Sequence, residues 1–359
     1  MENVGSPQMT APNDVVVPVV VPETRPPGGR SRSGSLGCLA VGLGVCLLIS
    51  LVLNFALLGS GESLLQADSS VKEKYHSLNR HGKEKIAIVE VSGTIMDGEN
   101  TRKVIDAVKK DKKVKAVVLR VDSPGGTING SDYIFHHLVE LTKQRKIPLV
   151  VSMGGLAASG GYYIAMAVGH TPDTIFAEPT TWTGSIGVII PHYDLSGLLK
   201  EYKIQENSIK SHPLKSIGSF TKPMTEEERQ ILQGLVDQGF QQFQDVVKYG
   251  RKQFSENDEA LKAVATGQVF TAHDAKEKGL IDRIGYIEEA IDRAIELAAV
   301  DKDQAKAVKY EPQVGLFEQL MFGQTRSANL DLASLLELTV PRAYYLCTSL
   351  PAWHALSRP

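Results

Sequence analysis

VKAVVLRVDSPGG, Val114–Gly126, decides the fold. Its first eight residues are an apolar run broken only by Lys115 and Arg120, the pattern of a strand covered on both faces of a parallel sheet. Asp122–Gly126 then supplies turn residues, and a helix is predicted around Ser131–Lys146. The same order recurs on either side. IAIVEV (Ile86–Val91) predicts a strand, followed by an amphipathic helix over Asn100–Lys110. PLVVSM (Pro148–Met153) predicts another, followed by GGLAASGG and a short apolar helix, Tyr162–Val168. TIFA (Thr174–Ala177), a turn and TGSIGVII (Thr183–Ile190) continue the series. Strands alternating with helices across short connections imply an α/β fold of right-handed βαβ units with parallel pairing.

Downstream, Thr225–Phe254 is predicted to be the longest helix. Thr225 followed by Glu226, Glu227 and Glu228 is a capping-box start, with carboxylates at the positive helix end. Ile231, Leu232, Leu235, Val236, Phe240, Phe243, Val246 and Val247 form its apolar face. A further helix is predicted over Tyr286–Val300. Residues after about 312 carry a mixed pattern, and the chain has no internal repeat.

The 359 residues suffice for a sizeable core, and a net charge of −2 argues against a nucleic-acid partner. Three cysteines make no disulfide framework, and no Cys/His grouping suggests a metal or other cofactor. From Ser33 to Gly61 the chain is uncharged, and Leu36–Leu58 is almost wholly apolar, long enough to span a bilayer as a helix. Arg25, Arg30 and Arg32 precede it, while Glu62 and Asp68 follow. The positive-inside rule then puts the N-terminus in the cytoplasm and the remainder outside it. A cleaved signal peptide would have a shorter apolar core near the chain start, and a lipid-bearing cysteine would follow that core, whereas Cys38 opens it.

GGLAASGGYY (Gly154–Tyr163) is the stretch richest in chemistry. Ser159 lies among small residues between a predicted strand and a predicted helix. A hydroxyl there sits near a positive helix end, and the small neighbours admit a substrate backbone. Tight helix packing would explain the same residues without any chemistry. Val121–Gly126 ends another strand in a Pro-Gly-Gly turn, and ligands of open parallel sheets gather at the carboxyl ends of strands. The Gly126 and Gly160 N–H groups could then face one pocket as an oxyanion hole; a plain tight turn is the alternative.

VDSPGGTINGSDYI, SMGGLAASGGYYIA, TGSIGVI and GQVFTAHDAKEKGLIDRIG, in this order over roughly residues 84–300, resemble the signal peptide peptidase A (protease IV) family. The resemblance implies a ClpP/crotonase-like fold of stacked βαβ units, a Ser–Lys dyad, and cleavage of signal peptides left in the membrane. Ser159 matches the family's nucleophile, Gly126 its oxyanion glycine, and Ser185 the serine that orients the lysine; a strand-capping turn serine is the alternative for Ser185. The family's lysine lies shortly before the M-T-x-E-E helix start, and Lys215 matches it, with Lys210 and Lys222 as fallbacks and Lys203 also in the region. Serine needs such a base because its hydroxyl is scarcely ionised near neutrality. A lysine serves if buried away from carboxylates. A Ser-His-Asp triad would need His170, His192 or His212 to be held by a carboxylate, and the sequence implies no such pairing.

The expected organisation is a disordered cytoplasmic tail (1–33), a transmembrane anchor (34–59), a polar stalk (60–83) helical near Ser63–Leu78, a serine peptidase domain (84–312) and a C-terminal extension of unknown role (313–359). The family further implies a ring of protomers, commonly eight, acting on peptides. Competing readings are a related membrane protease that clips a specific partner, crotonase-type acyl-CoA chemistry, and a scaffold that has kept the fold alone.

Overall fold

The computed structural model describes residues 41–52, 54, 71–312 and 343–346. Residues up to 66 and residues from 67 onward form two separate units. In the first, residues 41–52 are helical and exposed. No helix among the described residues is long and apolar enough to cross a membrane; residues 34–40, 53 and 55–59 of the expected anchor lie outside them, as does the tail 1–33.

The second unit is α/β. Its nine-stranded sheet follows the order β1 (Val71–Leu78), β10 (Ala305–Pro312), β2 (Glu84–Ser92), β3 (Val114–Ser123), β5 (Leu149–Ala158), β6 (Ile175–Ala177) and β9 (Arg283–Ile284). β7 (Trp182–Gly184) branches from β5 and pairs in turn with β8 (Val269–Thr271). All pairs are parallel except β1/β10 and β7/β8. β4 (Gly125–Thr127) pairs with β11 (Tyr344–Leu346) in a separate two-stranded sheet.

The apolar strands alternate between two cores, because successive side chains point to opposite faces. Val89, Leu119, Val151 and Met153 face one core with Ile105 and Val108 of α1 (Glu99–Lys110) and Ile134, Leu138 and Leu141 of α2 (Ile128–Arg145). Tyr162 and Tyr163 of α3 (Gly160–Ala165) and Phe243 and Val247 of α4 (Glu226–Gly250) close the same side. Ile86, Ile88, Val118 and Val150 face the other core, covered by Ala290, Ile291, Ala294 and Ile295 of α5 (Ile287–Leu297).

Three expectations need correction. Of the stalk expected to be helical near Ser63–Leu78, residues 63–70 lie outside the described residues, and Val71–Leu78 is a strand antiparallel to β10. Its Glu73 receives Lys85 Nζ at 2.6 and 2.7 Å, so a buried cation ties it to the domain. The strand expected to stop at Met153 continues to Ala158. Val121 pairs Met153 but Ser123 pairs Ala157, so β5 carries two extra residues and delivers the following serine to the sheet edge. The long helix ends at Gly250, where a Cβ would lie 2.7 Å from Met166, and a short helix, Lys252–Glu256, follows Arg251.

Candidate active site

Two strand ends meet here. Ala158 of β5 is paired with Gly184 of β7, and the next residue of each is a serine in left-handed backbone: Ser159 at φ 55° and Ser185 at φ 52°. Ser159 N–H donates to Gly184 O (2.8 Å), and Tyr163 N–H donates to Ser159 O (2.8 Å), opening α3. Ser159 stands at the N-cap yet makes no side-chain cap bond, although capping is the usual use of serine there. Its hydroxyl is buried and has no hydrogen-bond partner among the described residues. A buried unpaired hydroxyl costs about 1–3 kcal/mol, and ψ −115° at this residue adds backbone strain. Strain and an idle hydroxyl at one residue point to chemistry there.

The glycine turn of β4 faces this serine. Gly125 N–H donates to Ser123 Oγ (3.1 Å), while Ile95 accepts from Thr127 N–H and donates to Gly125 O, both at 2.8 Å. Strand alternation therefore turns the Gly126 main-chain groups away from Ile95. A Cβ on Gly160 would come within 2.4 Å of Ser131 Oγ and 3.2 Å of Gly126 N. The two N–H groups expected to form an oxyanion hole thus belong to touching segments, and only glycine fits there. Ser185 is buried and donates its main-chain N–H to Gln268 O (2.7 Å).

The lysines separate by their partners. Lys210 Nζ is 3.0 Å from Glu206, whose carboxyl is lowered to about 2 by hydrogen bonds from Ser208 and Lys210. Lys222 Nζ lies 2.5 and 2.7 Å from the two oxygens of the buried Glu228. Burial raises that carboxyl, but bonds from Lys222 and Thr225 outweigh it and leave it lowered. Both fallback lysines are already engaged by a carboxylate partner, so neither Nζ is free to face Ser159. Lys215, on the turn Pro213–Ser216, is exposed and has no carboxylate within ion-pair distance among the described residues. It does not reach Ser159 in this single chain, whose hydroxyl stays unbonded.

None of the three histidines forms a triad. His170 Nε2 contacts Lys248 O (3.0 Å), His212 Nδ1 accepts from Leu214 N–H (3.2 Å), and His192 Nε2 is buried without a partner. None of them bonds Ser159 or a carboxylate among the described residues.

Sequence reasoning missed one participant. Within the extension left without a role, Tyr345 pairs with Gly126 and is completely buried. AYYL (Ala343–Leu346), short, aromatic and β-prone, was the available signal.

The model of peptidase family S49 matches residues 141–301. A Synechocystis protein named as a candidate protease, slr0021, is 40% identical over 262 residues, 71% of this chain and 91% of that protein. Protease 4 of Salmonella typhi is 35% identical over 266 residues, 71% of this chain but 41% of its own length. A candidate signal peptide peptidase SppA of Enterococcus faecium is 37% identical over 222 residues, 58% of this chain and 62% of that protein. The chain therefore spans most of the first relative and about two fifths of the second.

Proposed function

The chain belongs to peptidase family S49, the signal peptide peptidase A family, and is a serine-type peptidase; on that footing we propose that it is a membrane-anchored endopeptidase that degrades residual signal peptides with Ser159 as nucleophile and Lys215 as base. The sheet is read as the ClpP/crotonase-like stack of that family. The observation that carries the reading is Ser159 itself: strained, buried and unpartnered, beside the Gly126 and Gly160 N–H groups.

The steps follow from those atoms. Neutral Lys215 Nζ takes the Ser159 proton, and Oγ attacks the peptide carbonyl. Charge developing on the carbonyl oxygen is met by the two glycine N–H groups, which are fixed before the reaction begins. The lysine then gives its proton to the leaving amine, and water, deprotonated by the same lysine, releases the acyl group and restores the hydroxyl. Ser185, one residue past the strand pair that positions Ser159, orients the lysine.

Among the described residues, Lys215 is exposed with no carboxylate within ion-pair distance, and the Ser159 hydroxyl has no hydrogen-bond partner. We therefore assign their pairing to the assembled ring, with the lysine reaching a neighbouring protomer's serine. Support for the anchor is the uncharged run Leu36–Leu58, of which residues 41–52 are helical. It would hold the domain outside the cytoplasm, where signal peptides remain in the bilayer.

A fluorophosphonate probe tests the core of this reading. Labelling is expected on wild-type protein and not on Ser159→Ala. Equal labelling of the two would remove Ser159 from the mechanism.

A further inference from the structure

α2 turns one stripe toward the sheet and leaves its flank outside the core. Ile134, Leu138 and Leu141 make the buried stripe. His136, His137 and Glu140 stand off it, beside the C-terminal turn of α1, where Lys109 reaches Glu140. Residues three and four apart on a helix lie side by side. Glu140 is therefore a neighbour of both histidines, one turn further on. One possible ligand atom from each of the three lies within 4.8 Å of the other two. His136 is exposed, while His137 and Glu140 are half-buried.

The neighbours of these groups set their orientation. Lys109 Nζ donates to Glu140 Oε1 at 3.3 Å, and Gln144 Nε2 donates to the same oxygen. That leaves Oε2, which lies 3.6 Å from His137 Nδ1. The Lys109 ammonium also holds the Glu140 carboxyl below the usual carboxylate range, so the group is ionised near neutrality. The Tyr133 ring meets His137 edge-on, with centroids 4.5 Å and planes 81° apart, and its hydroxyl is fixed by Glu99 Oε1 at 2.9 Å. The two imidazoles stand 5.2 Å apart with their planes at 77°. Ligand atoms about 2.0–2.2 Å from a tetrahedral ion are about 3.3–3.6 Å from one another. The His137 and Glu140 atoms already have that spacing, and a side-chain rotation brings His136 to the same centre.

We propose that His136, His137 and Glu140 form a binding site for a divalent ion of the zinc class, held by two imidazole nitrogens and one carboxylate oxygen from a single helix. That donor set suits zinc, cobalt(II), nickel(II) or copper(II), whereas magnesium and calcium take shells of oxygen. Three protein ligands leave a fourth position for water. The competing account is a plain ion pair between protonated His137 and Glu140, which contributes little at a surface and gives His136 no part. A second grouping, His273, Asp274 and Glu277, is the poorer candidate. It offers one imidazole, and Asp274 Oδ2 already accepts from Thr271 Oγ1 at 2.7 Å. His136 lies eight residues past Ile128, about 12 Å along α2 from the turn that carries Gly126. The ion is therefore separate from the peptidase chemistry. It clips two turns of α2 together, and because it binds the folded chain it stabilises the fold by mass action.

The test uses the untagged full-length chain with zinc chloride or cobalt(II) chloride as the added ion. Zinc affinity is read by competition with a chromophoric chelator, and cobalt by the strong visible absorption of its four-coordinate form. Saturable binding of zinc and a higher melting temperature in its presence are expected. His136→Ala, His137→Ala and Glu140→Gln should each weaken zinc binding about tenfold or more, since losing even a partner one shell further out costs about 10–100-fold. Lys109→Met removes a cation beside the site and should tighten binding roughly threefold. His273→Ala should leave the affinity as it is. These side chains are at the surface, so the ion-free variants should melt with wild type. Absence of saturable zinc binding would overturn the site. So would wild-type affinity in any of the three ligand variants, weaker binding in Lys109→Met, or loss of binding in His273→Ala. Magnesium binding as tightly as zinc would overturn the assigned ion class. Fluorophosphonate labelling at one rate with and without zinc is expected; labelling blocked by zinc would move the ion to Ser159 and overturn the separate site.

Discussion

Ser159 concentrates the cost of the site in one residue, because φ 55° with a buried, unbonded hydroxyl is unfavourable on two counts. Ser159→Ala removes the hydroxyl and keeps the backbone. It should abolish probe labelling and peptide hydrolysis, yet melt no lower than wild type by calorimetry. A lower melting temperature would mean the hydroxyl is structural. Gly126→Ala tests the opposite side. A Cβ there would lie 1.8 Å from Ile95 O, so β4 must move and carry its N–H with it. A fall in kcat of about 10²–10³ is expected, the usual loss for one oxyanion donor. Unchanged kcat would clear Gly126 of that role. Ser159, Gly126 and Gly160 were legible in the sequence because each demands a residue type at a fixed place in a turn. Tyr345 was not, because its pocket is made by residues up to about 180 positions away that no local pattern connects.

At the scale of elements, what was legible was local. The capping box of α4 is present: Thr225 Oγ1 accepts from Glu228 N–H (3.2 Å), and the Glu228 carboxylate accepts from Thr225 N–H (3.0 Å). Thr225→Ala should cost about 1 kcal/mol in urea unfolding; no change would mean that Lys222 and Glu228 suffice to hold the helix start. The apolar face of that helix was read correctly only in part. Leu232, Phe243, Val246 and Val247 are buried, while Ile231 and Leu235 are exposed, since periodicity gives a face but not what covers it. β1 escaped because its eight residues, VKEKYHSL, are polar and take their place from pairing with β10, at the far end of the domain. It is secured through Lys85, whose Nζ contacts Glu73 and Asp111 at 2.6 Å each. Burial raises the Asp111 carboxyl, but bonds from Lys85, the Lys113 N–H and Tyr310 outweigh it, so its folded value is lowered. A lowered carboxylate contributes stability above its unfolded value, about 3.9, and loses it as pH falls through the folded value. Asp111→Asn should therefore flatten the acid limb of a stability-against-pH curve below about pH 4. An acid limb as steep as wild type would place the titrating groups elsewhere.

For the whole molecule, the governing contrast is between a buried serine and an exposed lysine. The sheet brings Ser159, Ser185 and both glycine turns to one edge from strands far apart in sequence, and parallel βαβ order made that convergence predictable. Lys215 sits outside this framework, on a short turn before α4, with a segment around it that exposes Tyr193, Leu195, Leu198, Tyr202, Ile204 and Ile209. A surface so apolar is poorly suited to water and well suited to another copy of the chain. If each site takes its serine from one protomer and its lysine from the next around a ring, the interface is heterologous and every site straddles it. Ser159→Ala and Lys215→Ala chains would each be inactive alone. Co-assembled in equal amounts, they should regain about a quarter of wild-type activity, because half of the serine donors and half of the lysine donors are intact and they combine at random. A site complete within one protomer predicts no recovery at any mixing ratio. Measuring hydrolysis of one signal peptide across a series of ratios distinguishes the two, and a curve peaking at equal amounts is the signature of the shared site.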